Sequence, residues 1–141
     1  MQLFIGGACA GKRDAVADRF PSAVWHRLAP GQRLAECQQA LVADTPLVIT
    51  GVFDWVEAAL ANAENDPARQ QWQGDMTQLS QRADELNTAL IIITTEVGRG
   101  IVPMQPDQRR LRDLNGWFSQ DAAVQAEQVW YVRHGLVMAV K

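Results

Sequence analysis

The run Gly6-Gly7-Ala8-Cys9-Ala10-Gly11-Lys12 sets two glycines and a lysine at the spacing Gly-x-x-x-x-Gly-Lys. Glycines at those places let successive backbone N–H groups turn inward toward phosphate oxygens. A lysine reaches the β and γ oxygens, and the helix that follows offers an N-terminus that favours negative charge. Gly6, Gly7, Ala8, Cys9, Ala10, Gly11, Lys12 and Arg13 are therefore the candidate nucleotide-binding residues, with ATP or GTP as the expected cofactor and Lys12 as a candidate catalytic residue. The competing reading is a glycine turn of structural use only. Position 13 departs from the pattern: Ser or Thr there would ligate Mg²⁺, whereas Arg13 is a cation without an acceptor. Mg²⁺ is not expected to be held at that position, and no metal site is predicted. Two roles stay open for Arg13, direct contact with a phosphate or a solvated place in the first helical turn. Cys9 reads as a small loop residue rather than a nucleophile, although a helix N-terminus does lower a thiol's pKa.

Such a loop needs a strand before it and a helix after it. The apolar run from Met1 to Ile5 closes on Gly6 and Gly7, and Ala15, Val16, Ala17 and Phe20 then recur at helical spacing until Pro21. Ala23 to Arg27 reads as a short strand. Leu34, Cys37, Ala40 and Leu41 recur at steps of three and four and predict a second helix. Leu47 to Thr50 and Ala89 to Thr95 are apolar and rich in β-branched residues, as expected of strands covered on both faces. Residues 52 to 88 predict two helical pieces broken near Asn62 to Pro67, where Asn-Asp-Pro supplies a capping residue. Pro106 opens a further helix carrying Leu111, Leu114, Trp117 and Phe118, and the strands Gln128 to Val132 and Leu136 to Val140 flank a His134-Gly135 turn. Strands alternating with helices predict an α/β fold with a mainly parallel sheet and helices on both faces, in a single domain over residues 1–141. Glu96 stands at the carboxyl end of the most apolar strand, where ligands bind in such sheets, and is the second candidate catalytic residue. Ligand contact and loop support are equally open to it.

Composition excludes several classes. A net charge of −3 gives no footprint for a nucleic-acid partner, and 48% apolar residues suit a globular core. The two cysteines, Cys9 and Cys37, have no metal-ligand spacing and read as free thiols. With no apolar run of spanning length and no leader at Met1, a cytoplasmic protein without a membrane span is expected. Asp54 is read as a helix-capping aspartate or, less simply, as a carboxylate reaching the site. Arg99, Arg109, Arg110 and Arg112 are candidate cations for phosphates, although a run such as Arg109 to Arg112 on one helix usually reads as a solvated face. His26 and His134 read as structural, and the five tryptophans as core residues rather than a cofactor box.

Beyond the loop, the string Thr95-Glu96-Val97-Gly98-Arg99-Gly100-Ile101-Val102-Pro103, then Leu111-Arg112-Asp113 and Val129-Trp130-Tyr131-Val132, resembles the adenosylcobinamide kinase/adenosylcobinamide-phosphate guanylyltransferase family of cobalamin assembly. That family pairs Gly-Gly-x-x-x-Gly-Lys-Ser with Asn-Glu-Val-Gly-x-Gly-Ile-Val-Pro. The resemblance covers the first twenty residues and most of 46 to 141. It implies a RecA-like P-loop NTPase fold, a nucleotide at Gly6 to Lys12, a corrinoid (adenosylcobinamide) as second ligand, and assembly into homo-oligomers. It also marks what differs. The family's segment bearing the histidine that takes up GMP does not fit between residue 20 and the strand at Leu47, and the acidic residue closing that strand is replaced by Thr50. Two functions follow as expectations: a kinase of the cobinamide type without guanylyl transfer, or a non-catalytic binding or regulatory paralogue that keeps the fold.

Overall fold

The computed structural model describes residues 1–59, 64–97 and 105–141. Among these, six strands form one sheet: β1 (Gln2–Gly6), β2 (Val24–Arg27), β3 (Leu47–Thr50), β4 (Leu90–Thr95), β5 (Gln128–Arg133) and β6 (Leu136–Ala139). Their order is β2-β3-β4-β1-β5-β6, and every pairing is parallel except the β5–β6 hairpin. β1 therefore lies at the centre, between β4 and β5, as the RecA-like arrangement requires. In register Leu3 faces Ile92 on one side and Val129 on the other.

The parallel strands explain their own sequences. β3 is buried throughout, and β4 is buried from Leu90 to Thr94, because both faces of the sheet carry helices. Phe4, Val48, Ile91 and Ile93 meet Ala15 and Val16 of α1 (Lys12–Arg19) on one face. Leu3, Ile49, Leu90 and Ile92 meet α2 (Val52–Ala59), α3 (Asn65–Glu85) and α4 (Pro106–Gln125) on the other. Trp55, Trp72 and Phe118 pack at centroid separations of 5.4 to 6.4 Å in that second layer, with edge contacts to the phenylalanine that suit the aromatic quadrupole.

Two expectations are corrected. The second helix is a 3-10 helix, Leu34–Ala40, closed by i to i+3 bonds such as Glu36 N–H to the Arg33 carbonyl. Steps of three place Leu34 and Cys37 on one buried edge, as three residues per turn demands. Its start is fixed from outside by the buried carboxylate of Asp75, which accepts from the Arg33 guanidinium at 2.8 Å and the Ala35 N–H at 3.2 Å. Nor does Asn-Asp-Pro cap α3: Asn65 and Asp66 already lie in its first turn, and the N-cap is Glu64 with no side-chain cap bond. Asn62 lies outside the described residues.

A buried polar cluster ties α3 to α4. Asp121, 7% exposed, accepts both Nε and Nη2 of Arg69 at 2.9 and 2.8 Å and the Trp72 indole N–H at 2.7 Å. Desolvation pushes its carboxyl upward, but hydrogen bonds from Arg69, Trp72 and Gln73 and the charge of Arg69 outweigh it, so the pKa lies below the ordinary value. Asp121→Ala strands the buried Trp72 N–H and should cost about 1–3 kcal/mol at neutral pH. Because the folded pKa is depressed, the contribution is present above the unfolded value of about 3.9 and is lost as pH falls through the folded one. Urea unfolding of both proteins from pH 7 down to pH 3 should show the gap narrowing with acidity.

Candidate functional site

The glycine loop leaves β1 at Gly6 and enters α1 at Lys12. Gly11, at φ 94°, takes the left-handed conformation that turns the chain into the helix, and the Ala15 N–H closes the first turn on its carbonyl at 3.0 Å. The β5–β6 turn braces the loop, since the Gly135 N–H donates to the Ala10 carbonyl at 2.8 Å. Lys12 is 9% exposed and folds over the loop, its Nζ donating to the carbonyls of Gly6 at 3.0 Å and Gly7 at 2.6 Å. Burial lowers its pKa from the ordinary lysine value, partly offset by the charge of Cys9.

Above the loop opens a cleft of about 680 Å³. Its floor is Ala8 to Asp14, and its walls are the carboxyl ends of β2, β3 and β4, contributing Arg27, Thr50 and Thr95, together with Phe53 and Asp54 from the start of α2. Open α/β sheets present their ligand crevice at this edge. The loop thus brings Ala8, Cys9, Ala10, Gly11, Lys12 and Arg13 to one cavity, while Gly6 and Gly7 supply the carbonyls that hold the lysine. Cys9 is an exposed free thiol. Cys37 is buried, and burial first, then the charges of Glu36 and Asp75, push its thiol up to about 11, so it is a core residue.

Glu96 is elsewhere. Its N–H donates to the Gly6 carbonyl at 2.8 Å, but its carboxylate accepts from the Tyr131 hydroxyl at 2.9 Å and lines a separate pocket of about 340 Å³ against α4. In that pocket Asn115 donates to the Thr95 carbonyl at 2.8 Å, while its own Oδ1 and the Ser119 hydroxyl are buried without a hydrogen-bond partner. The structure therefore does not place the carboxylate of Glu96 in the cleft that Lys12 lines. Gly98 to Pro103 lie outside the described residues.

Asp54 is exposed and pairs with Arg27 at 2.6 Å. Arg110 bonds Asn65 at 2.7 Å and Arg112 pairs with Asp113; among the described residues no arginine of α4 lines the cleft. His26 shares a 3.1 Å hydrogen bond with Gln32, and His134 sits in the β5–β6 turn at φ 52°. Trp55 and Trp72 are core residues, whereas Trp25, Trp117 and Trp130 are only half-buried and lie under the guanidinium groups of Arg13, Arg69 and Arg19. Sequence reasoning passed over Arg27, whose only signal is that it closes a parallel strand.

Magnesium does not fit these residues. Arg13 replaces the hydroxyl ligand, and Thr50 offers a neutral hydroxyl where a carboxylate would stand, so neither position supplies its expected ligand. Among the described residues no cluster of three or more His, Cys, Asp or Glu could hold a metal.

Central β1, the glycine loop and a crevice at the carboxyl edge define a P-loop NTPase fold. The profile described as cobinamide kinase/cobinamide phosphate guanyltransferase matches residues 13–140, and the chain belongs to that family. It is similar to the bifunctional adenosylcobalamin biosynthesis protein CobU of Salmonella typhimurium, 30% identical over 118 residues covering 81% of this chain and 61% of that one. It is also similar to CobP of Pseudomonas aeruginosa, 34% identical over 77 residues that cover 55% of this chain and 43% of the relative. The chain thus spans about three-fifths or less of the length of these relatives. Among the described residues no helix is long and apolar enough to cross a membrane.

Proposed function

We propose that the cleft binds the phosphates of ATP or GTP and that the chain acts in cobalamin biosynthesis as a cobinamide-kinase-type protein without guanylyl transfer. The observation that carries this reading is the buried Lys12 folded over the glycine loop at the floor of a cleft of about 680 Å³. Kinase chemistry asks mainly for positioning and for charge stabilisation of the transferred phosphoryl group, which loop amides and a lysine supply. Guanylyl transfer through a covalent intermediate asks for a nucleophile, and neither His26 nor His134 lines the cleft. Incubation with GTP should therefore leave the protein's intact mass unchanged.

A second reading, a binding or regulatory paralogue that has shed catalysis, is favoured by Arg13 and Thr50, which remove both expected Mg²⁺ ligands. Calorimetric titration with ATP and GTP, followed by a phosphorylation assay on adenosylcobinamide, separates the two. Micromolar binding with turnover supports the kinase, and binding without turnover supports the paralogue. No binding of either nucleotide sinks the kinase and leaves a paralogue that uses the fold for something else.

A further inference from the structure

We infer that the cleft neutralises a polyphosphate with guanidinium groups in place of Mg²⁺, so that nucleotide binding is independent of magnesium. The inference rests on the nucleotide reading above and adds the chemistry of its counter-charge. A nucleoside triphosphate brings clustered negative charge, and P-loop proteins ordinarily share the task of balancing it between the lysine and a bound magnesium. This cleft has lost the means to hold that ion and gained cations at the same rim.

Arg13 stands one residue past the loop lysine, where the metal-ligating hydroxyl would be, and its guanidinium lies 5.1 Å from the centroid of the Trp25 ring. Stacking on an aromatic face restricts the long side chain without using its N–H donors. Arg27 arrives from the end of β2 on the opposite wall. Its stem crosses Gly51 so closely that a Cβ there would meet its Cγ at 2.9 Å, which fixes where the side chain leaves the strand. Its partner Asp54 is itself about two-thirds exposed, as is Arg27. An exposed pair of this kind is weak, and a phosphate can take its place through the same planar fork. Lys12 and Arg13 from the floor and Arg27 from the wall thus line one cavity. Asp14 and Asp54 also line it, and Asp54 sits within reach of the guanidinium it would release. Mg²⁺ finds neither of the ligands expected at positions 13 and 50, and it occupies phosphate oxygens that the guanidinium groups would otherwise use.

The test is calorimetric titration of the full chain with ATP and with GTP, in excess EDTA and in excess Mg²⁺, for the natural sequence, Arg13→Ser and Arg27→Gln. Both arginines are exposed, so the variants should keep the melting temperature, which thermal unfolding verifies. The expected result is binding in EDTA at least as tight as in Mg²⁺, weakened in EDTA by about tenfold or more in each variant, as loss of a charge-assisted hydrogen bond implies. Arg13→Ser, which restores the hydroxyl, should in addition bind better with Mg²⁺ than without it. Binding of the natural sequence that appears only with Mg²⁺, or variants that bind in EDTA as tightly as the parent, would overturn the inference while leaving the nucleotide site standing. No binding under any condition would overturn the site itself and this inference with it.

Discussion

Lys12→Ala is expected to weaken ATP and GTP binding by about a hundredfold, the upper range for a single buried charge-assisted contact. Two effects add. The ammonium folds over the loop, within 3.0 Å of two backbone carbonyls that mark where the loop curls. Its removal takes away the charge that meets a phosphate, and it leaves the Gly6 and Gly7 carbonyls with only their backbone donors, the N–H groups of Glu96 and Ala10. The loop amides alone retain only a helix N-terminus for anion binding. Calorimetry on both proteins reads the affinity, and thermal unfolding shows how much of the loss comes from loop order. The pH dependence supplies a second signature. Binding needs the protonated amine, and burial lowers the pKa of Lys12. Affinity should therefore decline with rising pH from below the ordinary lysine range, a decline absent in Lys12→Ala. An alanine variant that binds like the parent would remove Lys12 from the site.

How far the sequence reveals this site depends on which kind of information each residue carries. The loop is local: strand, glycine turn and helix follow one another within twenty residues, so the spacing of Gly6, Gly11 and Lys12 is enough to place them. Glu96 is not local in that sense. In a strand half buried by water, polar and apolar residues alternate and reveal which face each occupies. β4 is apolar on both faces, so its sequence gives no parity. Only the packing shows that Leu90 and Ile92 face α2, α3 and α4 while Ile91 and Ile93 face α1, which sends Glu96 to the α4 side, against Tyr131. The 3-10 helix was hidden for a related reason: repeats of three fit its period as well as one face of an α-helix, and what fixes the conformation is Asp75, forty residues away. Arg27 reaches the cleft because β2 pairs in parallel with β3, so that both end at the same edge. That pairing is a property of the sheet, and no spacing within residues 23–27 encodes it.

Gly6→Ala should destabilise the fold by about 3 kcal/mol, the upper range for overpacking, while Gly7→Ala, at a half-buried position with open space for a Cβ, should change stability by less than about 1 kcal/mol. The two glycines are neighbours in one motif, yet the structure asks different things of them. A Cβ on Gly6 would be driven into the Val132 carbonyl oxygen of β5, a backbone atom held by the β5–β6 hairpin and unable to swing aside. Gly6 also lies between two partners, because its carbonyl accepts both the Glu96 N–H at 2.8 Å and Lys12 Nζ at 3.0 Å. Relief of the clash by moving β1 away from β5 would disturb the sheet's central pairing and the lysine together. A Cβ on Gly7 meets nothing within 4 Å, and the residue acts through its carbonyl, which alanine retains. Urea unfolding of the two variants beside the parent measures the difference directly. Equal losses would mean that the motif's glycines are required for loop flexibility in general. A loss confined to Gly6 would tie that glycine to the close approach of β5, and would separate the part of the motif that serves the sheet from the part that serves the ligand.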